Sequence, residues 1–492
     1  VGTDPEIGPR LSNHIFYLNR MASERSGLLS EGALYESLAR GNKDLYFIGS
    51  GFTDTVNPFE SRYQRGPGFV NELRRTVPLN AVDFGRSCEF EFDIAGDVFL
   101  ETTLIIDLPT WLPAVEAGLN QESGYSVLGN SGEGYGYTRG IAYFLFSNIQ
   151  IYQDKILLQE FSGDTLWASR LSRGSLNSAY LDNFLTGMSD VSGSPVSLSR
   201  QATPGRLRLT LPMIGGKRGT PSIGMKQQAF RLKLTLRPLE ELVECSDYAV
   251  VYPAPWKLNA FTVSRPDNSS YTVAPVPREL IGKPQIFLET RHVYLDPDSR
   301  KGMADAEHEI PYSIFYENQI TFGGLDYSGA NEAAASFPGF VRDLDATHTA
   351  SRIFWFFRTR DDLQRGRRWA TSSYKNPYYQ DVTFLIAARD RESLAGPAIW
   401  NTLVPFAKED RDPGFAIGEM NWDLGASLPM DERVPEGSIN FSTAEKPVFY
   451  FHVRPPNLDQ PFLTQVVEVM VVIESWALYT INNGRGYFKF SN

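Results

Sequence analysis

Strand-length runs of apolar or alternating residues, gathered in two blocks and separated by turn-rich polar stretches, constrain this chain more than any other feature. Between about residues 80 and 240 the runs are "SCEFEFDI", "VFLETTLIIDL", "YFLFSNIQIY", "KILLQEF", "RLRLTLPM" and "AFRLKLTLRPL". Successive side chains of a strand point to opposite faces, so Phe90 and Phe92 share one face of the first run, as Leu232, Leu234 and Leu236 do in the last. After the proline-rich stretches "VYPAPWK" and "APVPREL" the pattern returns in "PQIFLETRHVYL", "SRIFWFFRTR", "DVTFLIAARD", "KPVFYFHV" and "QVVEVMVVIESWALYTI". Two β blocks of similar size predict one architecture used twice, although no close sequence repeat is visible. The expected fold is all-β: two consecutive jelly rolls of about eight strands each, in which two packed sheets manage their edges by Greek-key wrapping. Long surface loops such as "SGYSVLGNSGEGYGYTRG" and "SDVSGSPVSLSRQATPG" join the strands, and the best helical segments, "GDTLWASRL" and "LAGPAIWNTLVPF", are few and short.

A chain of 492 residues exceeds one ordinary core, which agrees with more than one domain. The predicted division is an N-terminal arm over residues 1–40, a first jelly roll over 41–245 and a second over 246–492. In the arm, Ser30 can cap a short amphipathic helix, "SEGALYESLARG", that stops at Gly41. The net charge of −11 supplies no basic face for nucleic acid, and the local cluster "RTRDDLQRGRR" (358–368) reads as a solvated loop because an acidic pair interrupts it. Two cysteines, Cys88 and Cys245, allow neither a disulfide framework nor a four-cysteine zinc site and suit a reducing compartment. The longest apolar run, "VMVVIESWALYTI", is broken by Glu474, so a soluble, intracellular protein is expected.

Chemistry-bearing patterns are sparse. The five histidines (His14, His292, His308, His348 and His452) show no metal-ligand spacing, and on a strand His308 points away from its neighbours Glu307 and Glu309. No G-x-S-x-G elbow surrounds a serine, and the acidic pair Asp361 and Asp362 reads as loop charge. Neither a catalytic group, a metal site nor a cofactor is predicted. The sequons at Asn268 and Asn440 are candidate glycosylation sites. The ending "INNGRGYFKFSN" resembles a phosphate loop only superficially, since a dinucleotide fingerprint needs glycines that open a helix. Here the alternation of "YFKFSN" predicts a tight turn that sends the last residues back as a strand.

That ending also resembles the close of the major capsid proteins of large nucleocytoplasmic DNA viruses, the double jelly-roll lineage, through Ile481, Gly484, Gly486, Phe490, Ser491 and Asn492. Further matches follow in chain order. "GNKDLYF" (Gly41, Asn42, Phe47) is similar to the family's lead into the first jelly roll, and "VDFGRSCEFEFDIAGDVFLETTLIIDLP" to its first strand pair. "YFLFSNIQIYQDKILLQEFSGDTLW" resembles its hairpin and Trp-bearing helix, with Tyr152, Gln153 and Asp154 where the family turns on paired glycines. The exit Arg237-Pro238-Leu239, the turn preceding His308 and Glu309, and Gly437, Asn440, Phe441 and Ser442 continue the parallel.

The resemblance implies a structural viral protein and not an enzyme: homotrimeric, pseudo-hexagonal capsomers tiling an icosahedral shell. Implied partners are the chain itself, minor capsid or penton proteins and, through the arm, inner membrane-associated proteins, with no direct nucleic acid. It would reside in the virion capsid after synthesis and assembly in the host cytoplasm. A carbohydrate-binding jelly roll and a β-sandwich glycoside hydrolase are the alternative readings. The first would explain the aromatic residues and loops, the second the acids.

Overall fold

The structure is a computed structural model that describes residues 68–93, 95–111, 135–172, 176–188, 204–212, 219–225, 228–264, 270–325, 339–371, 378–409, 417–422, 437–444, 447–453, 465–482 and 484–489. The N-terminal arm with its expected helix, most of the two Gly/Ser-rich stretches, and Phe490 to Asn492 lie outside these residues.

Among the described residues, eight strands build a first sandwich: β1 (Phe69–Thr76), β2 (Ser87–Asp93), β3 (Val98–Asp107), β4 (Phe146–Gln153), β5 (Ile156–Phe161), β6 (Leu207–Leu211), β7 (Ala229–Leu236) and β8 (Gln285–Leu295). Eight more build a second: β9 (His308–Leu325), β10 (Gly339–Asp343), β11 (Thr349–Thr359), β12 (Tyr379–Ile386), β13 (Arg389–Ala395), β14 (Ile417–Asn421), β15 (Val448–Val453) and β16 (Gln465–Asn482). The first sandwich pairs in the orders β1-β8-β3-β6 and β2-β7-β4-β5, the second in the orders β9-β16-β11-β14 and β10-β15-β12-β13. Adding eight to each ordinal of the first sandwich gives the second. In each, the four outer pairings (first with eighth, second with seventh, third with sixth, fourth with fifth) are those of one long antiparallel ribbon. Rolling it joins third to eighth and fourth to seventh. This is the jelly roll, present twice.

The sheet pairing carries the first sandwich past residue 245, because β8 bonds to both β1 and β3. The proline-rich stretches are therefore not a linker between lobes. They belong to an excursion between β7 and β8 that, among the described residues, holds three short 3₁₀ turns, Leu239–Glu241, Pro255–Lys257 and Arg278–Leu280, and a small hairpin, Phe261–Ser264 with Ser270–Val273. Proline suits such turns because it fixes φ and lacks the N–H that a ladder would need.

Each sandwich has its own apolar core, and β11 and β16 serve two. From β11, Ile353, Trp355 and Phe357 enter the second core, while Phe354 and Phe356 enter the first. From β16, Val467, Val469, Val471 and Ile473 enter the second, and Met470 and Val472 the first. A strand covered on both faces has no polar side to alternate with, which is why "IFWFF" and "VMVVI" read as continuous apolar runs. The expected helix appears as α1 (Gly163–Ser172). The chain end doubles back as β17 (Arg485–Phe488) on β16, turning through Gly484 at φ +81°. Gly486 is required for space, since a Cβ there would strike the Tyr479 hydroxyl.

Candidate functional site

The most concentrated chemistry lies where the β2-β7-β4-β5 sheet and α1 of the first jelly roll meet the β9-β16-β11-β14 sheet of the second. α1 begins directly after β5, and Ser162 starts it by accepting the Thr165 N–H at 3.1 Å. This places Asp164 in the first helical turn, where a carboxylate is favoured by the aligned peptide dipoles. Asp164 accepts from Arg237 Nη2 at 2.5 Å and from Arg358 Nη1 at 2.9 Å, with Arg368 Nη1 at 3.7 Å. Arg237 leaves the end of β7, Arg358 projects from β11 of the other jelly roll, and Arg358 also reaches Glu468 of β16 at 2.9 Å.

A second ionic group sits on the same two strands. Arg352 Nε donates to Glu474 at 2.6 Å, with Glu419 at 3.6 Å, and its Nη1 and Nη2 donate to Ser172 and Ser169 of α1 at 2.7 and 3.3 Å. Aromatic contacts cross the junction beside these charges. Trp167 meets Phe356 edge-on at 5.8 Å, and Phe161 meets Phe315 at 5.9 Å. Lower down, the Tyr479 hydroxyl donates to Gln153 Oε1 at 2.6 Å and the Gly486 N–H to Gln228 Oε1 at 2.8 Å, tying the chain end to the first jelly roll.

Burial alone would push the Asp164 carboxyl up, but the surrounding guanidiniums outweigh it and hold the group well below the usual carboxylate range. Burial lowers Arg237 to about 10, which leaves it a cation at neutral pH. Each charge thus has an opposite partner, as a buried ion requires. Both oxygens of Asp164 are occupied by guanidinium donors, and the carboxylate is buried from solvent. What the arrangement can do is fix two sheets in one alignment, since hydrogen-bonded charges tolerate less sliding than apolar contacts.

The "RTRDDLQRGRR" segment is therefore not the solvated loop expected from its composition. Arg358 is buried, and Thr359 caps a short helix, Arg360–Gln364, by accepting the Asp362 N–H at 3.1 Å. Asp362 is itself buried against Thr359 and Tyr248. Sequence reasoning missed Asp164, Arg352 and Arg358 as a group and met Glu474 only as a break in an apolar run. The available signal was charge at strand positions flanking or interrupting fully apolar runs. Of the two sequon residues, Asn268 lies outside the described residues. Asn440 is exposed in a two-residue strand, Ile439–Asn440, and its Oδ1 accepts from the Ser442 N–H at 2.9 Å. His308 contacts the Met303 carbonyl at 2.8 Å.

No protein-family model matches the chain, and no curated protein matches it by sequence. Solved structures do match. The chain is similar to the capsid of PBCV-1 in a quasi-atomic model, with a TM-score of 0.65 at 13% identity over 88% of this chain and 100% of that one. It is similar to the Faustovirus major capsid protein, with a TM-score of 0.55 at 9% identity over 89% and 94% of the two chains. A chain of the Sputnik virophage matches with a TM-score of 0.52 at 10% identity over 89% and 91%. At these identities the likeness is one of fold, and it extends over both jelly rolls.

Proposed function

We propose that this chain is a structural viral major capsid protein, three copies of which form a pseudo-hexagonal capsomer that tiles an icosahedral shell. The observation that carries the reading is the duplicated strand order of two jelly rolls, together with the likeness of fold to the PBCV-1 capsid and the Faustovirus major capsid protein. A rigid pair of similar lobes is a suitable unit for such a tile, because three pairs present six similar sides. The net charge of −11 per copy fits a shell that does not hold the genome directly. Residence in the virion capsid, assembly in the host cytoplasm, a division into an arm and two jelly rolls, contacts with minor capsid or penton proteins, and glycosylation at Asn268 or Asn440 belong to the same proposal. So does the absence of catalytic turnover.

Mass measurement of the purified chain in solution, followed by electron microscopy of assembled particles, tests it. A trimer that builds closed shells is expected. A monomer that is retained on a glycan array, or one that hydrolyses glycosides until a single Asp or Glu is replaced, would overturn the reading. Deleting residues 1–40 should spare the trimer and impair assembly, the outcome expected if the arm meets inner proteins.

A further inference from the structure

The duplicated jelly roll places the same kind of contact surface in the chain twice. In each copy of the fold a helical segment follows the fifth strand, and both open on one spacing, Gly163 to Trp167 in "SGDTLW" and Gly396 to Trp400 in "AGPAIW". In the first jelly roll this segment is α1, which lies on the β9-β16-β11-β14 sheet. Trp167 meets Phe356 there, Arg352 donates to Ser169 and Ser172, and Arg358 donates to Asp164. Alongside, β5 abuts β9, with Phe161 against Phe315 and Gln159 Nε2 donating to the Ser313 carbonyl at 2.8 Å. The junction thus seats the helix and fifth strand of one jelly roll on the first-strand sheet of the other.

Each jelly roll has both halves of this contact, and the junction occupies one of each. The helical half left over is a π turn, Ile399–Leu403, continued by α2 (Val404–Glu409). Its inner side is anchored, since Trp400 lies edge-on to Trp355 at 6.2 Å and donates from Nε1 to the Ala395 carbonyl at 2.8 Å. On the other side Ile399, Leu403 and Phe406, four and three residues apart, share one apolar stripe, with Leu403 57% and Phe406 60% exposed. In α1, by contrast, every residue from Gly163 to Ala168 is buried, as are Leu171 and Ser172. The sheet half left over is the outward face of β1-β8-β3-β6. On β8, Ile286 and Leu288 enter the core, so Phe287, Glu289 and Arg291 face outward. Leu73, paired with Arg291 and 55% exposed, stands on that face, as does Phe69 four residues earlier. Charges of this face already pair with each other, Arg208 with Glu289 at 2.5 Å and Arg206 with Asp107 at 2.9 Å, so covering them leaves them partnered.

We propose that the stripe of Ile399, Leu403 and Phe406 in one copy docks on the outward β1-β8-β3-β6 face of a second copy, with β13 beside β1. This repeats between chains the contact that α1 and β5 make within one. The occupant is a second copy because every chain carries both unfilled halves, and the chain's own junction shows that such halves fit. Aligned on the shared Gly and Trp, Pro397 stands in place of Asp164, so the contact between copies is apolar where the junction is ionic. The contact is heterologous, and a heterologous contact forms a ring when its rotation closes. Three chains linked this way make a ring of six jelly rolls in which junction and docking contact alternate. The inference rests on the trimer of the shell reading and assigns its surface.

The test uses the full chain in sedimentation velocity at micromolar concentration, where the unaltered protein should be a trimer. Leu403→Glu disables the helical half and Leu73→Glu the sheet half. Each variant should lose the trimer and remain a folded monomer by thermal unfolding, because both positions are exposed and only association buries the new carboxylate. Phe406→Glu, also at an exposed position, takes the place of Leu403→Glu if that variant does not fold. An equimolar mixture of the helix and sheet variants should form a one-to-one dimer, since one keeps its sheet half and the other its helical half. A trimer that survives either substitution, or a mixture that stays monomeric, would overturn the proposal and leave the shell reading standing. An unaltered chain that is monomeric would overturn both.

Discussion

The β9-β16-β11-β14 sheet has two buried faces, and different chemistry packs each. Toward the second core, Trp355 lies edge-on to Tyr379, Trp400, Phe449 and Phe451 with centroids 5.5 to 6.4 Å apart. Toward the first jelly roll, the same strands set Arg352, Arg358, Glu468 and Glu474 among aromatic rings, with Arg352 over Phe354 at 5.0 Å and Arg358 over Phe356 at 5.1 Å. Apolar burial stabilises without direction, whereas a buried charge is tolerated only in the geometry that pairs it. The inner face therefore supplies cohesion within one jelly roll. The junction face supplies cohesion and alignment between two.

The largest effects should separate the faces by their response to pH. Trp355→Ala leaves a cavity and should cost about 3–5 kcal/mol. Asp164→Asn leaves Arg237 and Arg358 short of a counter-charge and should cost about 3–5 kcal/mol at neutral pH. Because the folded Asp164 pKa is depressed, its contribution is fully present above the unfolded carboxyl value of about 4 and is lost as pH falls through the folded value. Urea unfolding at pH 7, 4 and 3 should show the Asp164→Asn deficit shrinking below pH 4 and the Trp355→Ala deficit unchanged. Parallel behaviour of the two would erase the distinction between the faces.

A smaller effect resolves coupling. In a double-mutant cycle on Arg352→Met and Glu474→Gln we expect about 1–3 kcal/mol of interaction energy across the 2.6 Å pair. The corresponding inner-face cycle on Phe357→Leu and Phe451→Leu, rings 5.8 Å apart, should give about 0.5–1.5 kcal/mol. Equal couplings would mean that the ionic face is no more specific than the aromatic one.

The two faces also differ in how far they were legible in the sequence. Period-two alternation exposed β2 and β7, and uninterrupted apolar runs exposed β11 and β16, because burial of each face is written residue by residue. β1 escaped notice since it is an edge strand exposed on nearly every side chain, so no burial pattern marks it. β8 could be recognised as a strand but not assigned to the first jelly roll, because pairing across a proline-rich excursion leaves no local trace. The junction was the least legible. Asp164 and Arg358 are 194 residues apart, and each alone looks like an ordinary surface charge.

Next in size is the seam where the chain end meets the first jelly roll. Gly486→Val would drive a side chain into Tyr479 and against Met225, and overpacking of that kind costs about 1–3 kcal/mol. It should lower the yield of correctly assembled protein by size-exclusion chromatography without altering the far-ultraviolet β signal of what folds. Gly484→Ala, which places a side chain on a left-handed backbone at φ +81°, should cost about 1 kcal/mol. A reversed order would place the constraint in the turn and not in the seam.

The smallest expected effect compares equivalent turns of the two jelly rolls. The β4–β5 turn puts Asp154 at φ +53°, and its carboxylate accepts the Ala229 N–H at 3.2 Å, so the side chain helps to hold an unfavourable backbone. The β12–β13 turn puts Ala387 and Ala388 at φ +51° and +56°, with no side-chain atom able to do the same. Two successive positive φ angles are what a tight hairpin needs, and Asn-Gly meets that need where Ala-Ala does not. Ala387→Asn with Ala388→Gly should therefore raise stability by about 1 kcal/mol, and Asp154→Ala should lower it by about the same amount, both read as shifts in the thermal midpoint. If the Asn-Gly variant gains nothing, contacts elsewhere in the second jelly roll already offset the strain of its turn, and the two hairpins would be equivalent in energy as well as in topology.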